Sequence, residues 1–96
     1  MNSIRFEIQT QEQLDLDVLV EEAPILDLII YNDDVNTFDH VIRCLIEICE
    51  HEEIQAEQCT MLIHYKGKCS VKRADYETLE PMCTALLDKG LSAKIE

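Results

Sequence analysis

Tyr31-Asn32-Asp33-Asp34-Val35-Asn36-Thr37-Phe38 joins two stretches of different period. The run before it, Ile25 to Tyr31, is apolar, rich in β-branched residues and bounded by Pro24 and Asn32, a pattern that predicts a strand. After it, Phe38, Val41, Ile42, Leu45, Ile48 and Cys49 recur at the spacing of one helix face, and that helix should end near Glu50. Asn36 is expected to cap its start, with Asp39 placed where an acid favours the first turn. A polar turn held between a strand and a helix has its side chains fixed on two rigid elements, and functional groups gather on such loops. Asn32, Asp33 and Asp34 are therefore candidates for one rim of a small pocket.

Working outward, a second helix is expected from about Glu52–Ile54 to Lys66. Its apolar face is Cys59, Leu62 and Ile63, while Thr60, Ile63 and His64 share a neighbouring face at i, i+3, i+4. Gly67 suits a left-handed cap. Lys68 to Lys72 alternates and predicts a short, half-exposed strand. Asp75 can cap a third helix carrying Tyr76, Leu79, Met82, Cys83, Leu86 and Leu87, in which Pro81 either makes a kink or marks a fresh start. Gly90 ends it, and Leu91 to Ile95 predicts a last strand. The order β-α-α-β-α-β implies one small α+β domain over residues 25–96, a three-stranded antiparallel sheet with three helices on one face. Residues 1–24 set Arg5 against six acids and close at Pro24; they read as a mobile acidic N-terminal tail, with a short amphipathic helix over Glu12–Val20 as the other reading.

Composition narrows the function. A chain of 96 residues, 47% of them apolar, can build one real but marginal core. No run approaches the about 18 apolar residues of a membrane span, and the opening residues lack the apolar segment of a signal peptide, so a cytoplasmic monomer is expected. A net charge of −12 argues against nucleic acid and anionic membrane as partners and favours a ligand with positive groups. The five cysteines form no C-x-x-C pair and read as free, buried thiols. Cys49, His51, Cys59 and His64 match no zinc-ligand spacing, so neither metal nor cofactor is expected.

His40, His51 and His64, with Asp33, Asp34 and Asp39, offer acid–base groups. Yet there is no phosphate loop or nucleophile elbow, and none of Ser3, Ser70 and Ser92 stands beside a histidine. Binding suits the residues better than catalysis. A peptide N-terminus is an ammonium with a pKa of about 8; Asn32, the Asp33 carboxylate and a neutral His64 ring can accept its hydrogen bonds. Each such charge-assisted bond is worth about 1.5–3 kcal/mol. Phe38, Val41, Thr60, Ile63 and Leu91 can wall an apolar slot, where burying a Leu or Phe side chain adds about 1.5–3 kcal/mol. The same residues also fit a plain reading: a helix-capping turn, a histidine serving a helix dipole, and core side chains. Taken alone they support a soluble α+β interaction domain and leave both readings open.

Tyr31-Asn32-Asp33-Asp34, followed by Phe38 and Val41, and then His64-Tyr65-Lys66-Gly67-Lys68, resembles the ClpS adaptors of N-degron degradation. The resemblance runs through residues 25–96 and adds a tail where that family has one. It implies a non-enzymatic adaptor that binds proteins with a bulky N-terminal residue (Leu, Phe, Tyr or Trp) and delivers them to a ClpA- or ClpC-type AAA+ unfoldase of the Clp protease. It implies further that Asn32, Asp33 and His64, with Asp34 nearby, bind the α-amino group, and that Val41, Ile63 and Leu91 wall the pocket. Phe38 stands where many members have Met at the pocket lip, Asn36 replaces the usual Thr, Thr37 the usual Pro, and Thr60 falls where Met often lines the floor. The alternative is a regulatory or assembly domain that binds a protein partner without N-terminal-residue specificity.

Overall fold

A computed structural model describes residues 23–96. The tail and the alternative helix over Glu12–Val20 lie in residues 1–22, outside the described residues, apart from Ala23 and Pro24. The elements are β1 (Leu26–Tyr31), α1 (Phe38–Cys49), α2 (Glu53–Lys66), β2 (Lys68–Ala74), α3 (Tyr76–Asp88) and β3 (Ser92–Ile95). This is the expected order. β1 lies at the centre of an antiparallel sheet, order β2-β1-β3. Its period of two puts Leu28 and Ile30 on one face, where both are almost completely buried. The helices supply Val41, Cys44, Leu45 and Cys49 from α1, Ala56 and Ile63 from α2, and Leu79, Cys83 and Leu86 from α3 to the same core.

Local chemistry sets most boundaries. Glu50 in the left-handed conformation (φ 62°) stops α1, and Gly67 (φ 93°) stops α2 and returns its N–H to the Ile63 carbonyl. Asp75 caps α3, its Oδ1 accepting the Thr78 N–H at 3.0 Å. Pro81 does not begin a new helix; α3 runs unbroken from Tyr76 to Asp88 around it.

Three details differ from the sequence reading. The cap of α1 is Thr37 rather than Asn36: the Thr37 hydroxyl accepts the His40 N–H at 3.1 Å, because the Asn36 side chain is committed elsewhere. The buried face of α2 is Ala56, Thr60 and Ile63, with Cys59 half-buried, while Leu62 lies outside at 44% exposure. β2 reaches Ala74, beyond the expected Lys72, and carries a bulge. The register passes from Leu28–Lys72 to Ile29–Ser70, which leaves Val71 as the extra residue. Buried His51 secures the bulge by donating its Nε2–H to the Val71 carbonyl at 2.6 Å.

Candidate binding pocket

Two loops meet at one end of the sheet. The first, residues 32–37, runs from β1 to α1; the second is the Gly67 turn between α2 and β2. The Asn32 N–H donates to the Gly67 carbonyl at 2.9 Å and locks them together. Between the 32–37 loop, the first turns of α1 and the last turns of α2 lies a pocket of about 300 Å³, lined by Asn32, Asp33, Asp34, Asn36, Thr37, Phe38, Val41, Thr60, Ile63 and His64. That is the lower end of ligand-site volumes, sized for one side chain rather than a cofactor.

Asp33 organises the loop. Its Oδ1 accepts the Val35 N–H at 2.9 Å and the Asn36 N–H at 2.8 Å, and its Oδ2 accepts Asn36 Nδ2–H at 2.8 Å. Led by the bond from the Asn36 backbone, these donors hold the Asp33 carboxyl below the usual carboxylate range, so it is charged at neutral pH. A carboxylate has about four lone-pair sites, so acceptor capacity remains for a ligand.

Asn36 is a brace. Besides Asp33, its Nδ2 donates to the Gly90 carbonyl at 2.9 Å, 54 residues along the chain. His40 does the same one residue earlier, donating Nε2–H to the Lys89 carbonyl at 2.9 Å. The turn after α3 thus grips the pocket loop from behind. His40 is spent on this contact and lies outside the pocket.

The apolar wall comes from two helices. Val41 and Ile63 are buried side chains that reach the pocket. Thr60 is 2% exposed and donates its hydroxyl to the Ala56 carbonyl at 2.8 Å, so it lines the pocket without an open donor. Phe38, the first residue of α1, stands at the rim at 41% exposure, its ring edge-on to His64 with centroids 5.1 Å apart. That contact fixes the imidazole beside the acidic loop.

Nine of the ten site residues named from sequence therefore line one pocket. The tenth, Leu91, is 3% exposed, belongs to the core ahead of β3, and is not among the lining residues. Its N–H bonds to the Leu86 carbonyl, which turns the chain inward as α3 ends. Thr37 lines the pocket and was missed as a site residue; its cap-forming residue type just ahead of Phe38 was the available signal. Among the described residues, no group of three or more His, Cys, Asp or Glu side chains is arranged to hold a metal ion. The cysteines are free thiols, and burial pushes Cys49 up to about 11, which leaves it protonated and unreactive at neutral pH.

Residues 21–94 match the family model described as "ATP-dependent Clp protease adaptor protein ClpS". This chain belongs to the ClpS family. The ATP-dependent Clp protease adapter protein ClpS of Thermosynechococcus vestitus is 36% identical to it over 70 residues, 72% of this chain and 74% of that protein. A solved structure of Agrobacterium tumefaciens ClpS2 bound to L-phenylalaninamide matches with a TM-score of 0.75 over 78% of this chain and 98% of that one, a likeness of fold at 18% identity. As a ClpS-family chain, the protein is an adaptor of the Clp protease, a role that requires binding surfaces rather than a reaction centre.

Proposed function

We propose that this adaptor captures proteins by a bulky hydrophobic N-terminal residue (Leu, Phe, Tyr or Trp) and delivers them to a ClpA- or ClpC-type AAA+ unfoldase. The observation that carries the reading is the two-sided character of the pocket: anionic and hydrogen-bond-accepting on the loop side, apolar on the helix side. A free N-terminus presents the matching pair, an ammonium beside an apolar side chain. L-phenylalaninamide, named with the Agrobacterium protein, has the same two features. Asn32, Asp33 and His64 accept from the ammonium, Asp34 adds charge at the rim, and Val41, Thr60 and Ile63 receive the side chain. An N-terminus is the only point of an unmodified main chain that offers a cation at this place, so the pocket reads position as well as residue type.

Fluorescence anisotropy with peptides that differ only at the first residue tests this. Leu, Phe, Tyr and Trp should bind, and Ser and Asp should not; equal binding by all would leave an assembly domain without N-terminal specificity. The same series tests Phe38. A β-branched side chain is broad next to its own backbone and stiff at χ1, so the Phe38 ring at the rim should exclude Ile and Val. In Phe38→Ala, Ile should gain affinity. Leu and Phe should lose roughly 0.5–1.5 kcal/mol, the worth of an aromatic contact. Unchanged Ile binding would overturn the gate.

Residues 1–24 have their role in delivery, as chain for the unfoldase to engage. A protein beginning at Ala23 is expected to keep its peptide affinity and lose the ability to speed degradation of a Leu-initiated substrate at matched occupancy. Undiminished delivery would show the tail to be passive.

A further inference from the structure

Helix α2 is apolar on two opposite sides. Its inner side is the buried Ala56, Thr60 and Ile63. On the other side Ile54, Met61, Leu62 and Tyr65 are 69%, 46%, 44% and 72% exposed. At about 100° per residue these four project within an arc of about 100°, as wide as the stripe by which a helix normally faces a core. Among the described residues nothing covers it. The stripe runs to the mouth of the pocket: the Tyr65 ring meets His64 edge-on at 4.9 Å, and His64 meets Phe38 at the rim.

Charge helps to identify the occupant. Glu53 and Glu57 line one edge of the stripe, Gln55 and Lys66 the other, and the chain as a whole carries a net −12. A second copy of so acidic a protein is repelled, while a segment carrying cations is attracted. Length points the same way. Ile54 and Tyr65 are eleven positions apart, roughly 16 Å of helix, which about five residues of extended chain span.

We propose that the outer face of α2 is the docking surface for the stretch just after the N-terminal residue of a bound substrate, an extended segment with apolar side chains and lysine or arginine among them. The proposal rests on the pocket reading above. It makes the adaptor selective for the second and later residues of a substrate as well as for the first, through Ile54, Met61, Leu62 and Tyr65.

The test uses the full-length protein and free-amine peptides that all begin with Leu. The stretch after the Leu is Gly and Ser in one, alternating Leu and Lys in the second, and alternating Leu and Glu in the third. The Leu-Lys peptide should bind about tenfold tighter than the Gly-Ser peptide, the net worth of part-burying apolar side chains on an ordered segment. The Leu-Glu peptide should fall below it. In Met61→Ser/Tyr65→Ser the gain should vanish while Gly-Ser affinity holds. Ile54→Ser/Leu62→Ser, which leaves the Tyr65–His64 contact intact, should reduce the gain as well. A Leu-Lys gain that is absent, or that survives both variants, overturns the proposal, as does a wild-type dimer in sedimentation that the variants dissociate. If even the Gly-Ser peptide fails to bind, the pocket reading falls and this one with it; if it binds and the extension adds nothing, only this one falls.

Discussion

Asp33→Ala is expected to cause the largest loss of peptide binding of any single change in the loop. The substitution removes the acceptor for the Val35 and Asn36 N–H groups and for Asn36 Nδ2–H, so the loop loses its internal ties together with the charge proposed to meet the ligand. Asp33→Asn separates the two effects. Its carbonyl oxygen can still accept the Val35 and Asn36 N–H groups, while the bond from Asn36 Nδ2–H is lost together with the negative charge, and affinity for every first residue alike should fall by about 1.5–3 kcal/mol. Asp33→Ala should lose more. A loss confined to one class of first residue would show that Asp33 does not serve the shared amine.

The same carboxylate carries an acid signature. Its folded-state pKa is lowered, so its contribution to stability is present above the unfolded value of about 3.9 and is lost as pH falls through the lower folded value. Thermal melts taken downward from pH 5 should show the wild type losing more stability than Asp33→Asn. Parallel curves would mean that the loop bonds add nothing to folding.

The second large effect is on stability. Leu45 lies midway along α1, is completely buried, and sits in the core cluster with Leu28 and Leu79. Leu45→Ala should cost about 2–5 kcal/mol through lost burial and the cavity left behind. A domain this small has of the order of 5 kcal/mol to lose, so much of the chain should be unfolded at moderate temperature. Urea denaturation measures the loss, and a shift below about 1 kcal/mol would mean that the core closes around the gap. Because α1 presents Val41 and Phe38 to the pocket, apparent peptide affinity should fall with the folded fraction, while affinity per folded molecule should change little.

Much of this was legible in the sequence because it is local. The β1 run, the α1 stripe, the Asp75 cap and the Gly67 stop are each written in a few neighbouring residues, and together they produce the β-α-α-β-α-β order. The candidate pocket was legible for a related reason: its acidic loop and Phe38 are contiguous, and Thr60, Ile63 and His64 share a helix face by spacing alone. The features that escaped depend on partners far along the chain. Asn36 is as good a cap by type as Thr37, but its amide is taken by the Gly90 carbonyl, and nothing near residue 36 announces that. Leu91 was expected in the pocket wall on the family resemblance, and the end of α3 draws it into the core. Leu62 was assigned to the buried face of α2 because apolar residues ring that helix; only packing decides which side is covered, and it chose Ala56, Thr60 and Ile63. The bulge at Val71 and its bond from His51 link two segments 20 residues apart and leave no period in either.

The central claim, that the pocket reads a free N-terminus, is tested most directly by one comparison: the affinity of a Leu-initiated peptide with its α-amine free and with the same amine acetylated. Acetylation removes the cation and the donors that Asn32, Asp33 and His64 are proposed to receive, and leaves the Leu side chain untouched. The account predicts a loss of at least about 1.5–3 kcal/mol. Equal affinity for the two peptides would contradict it.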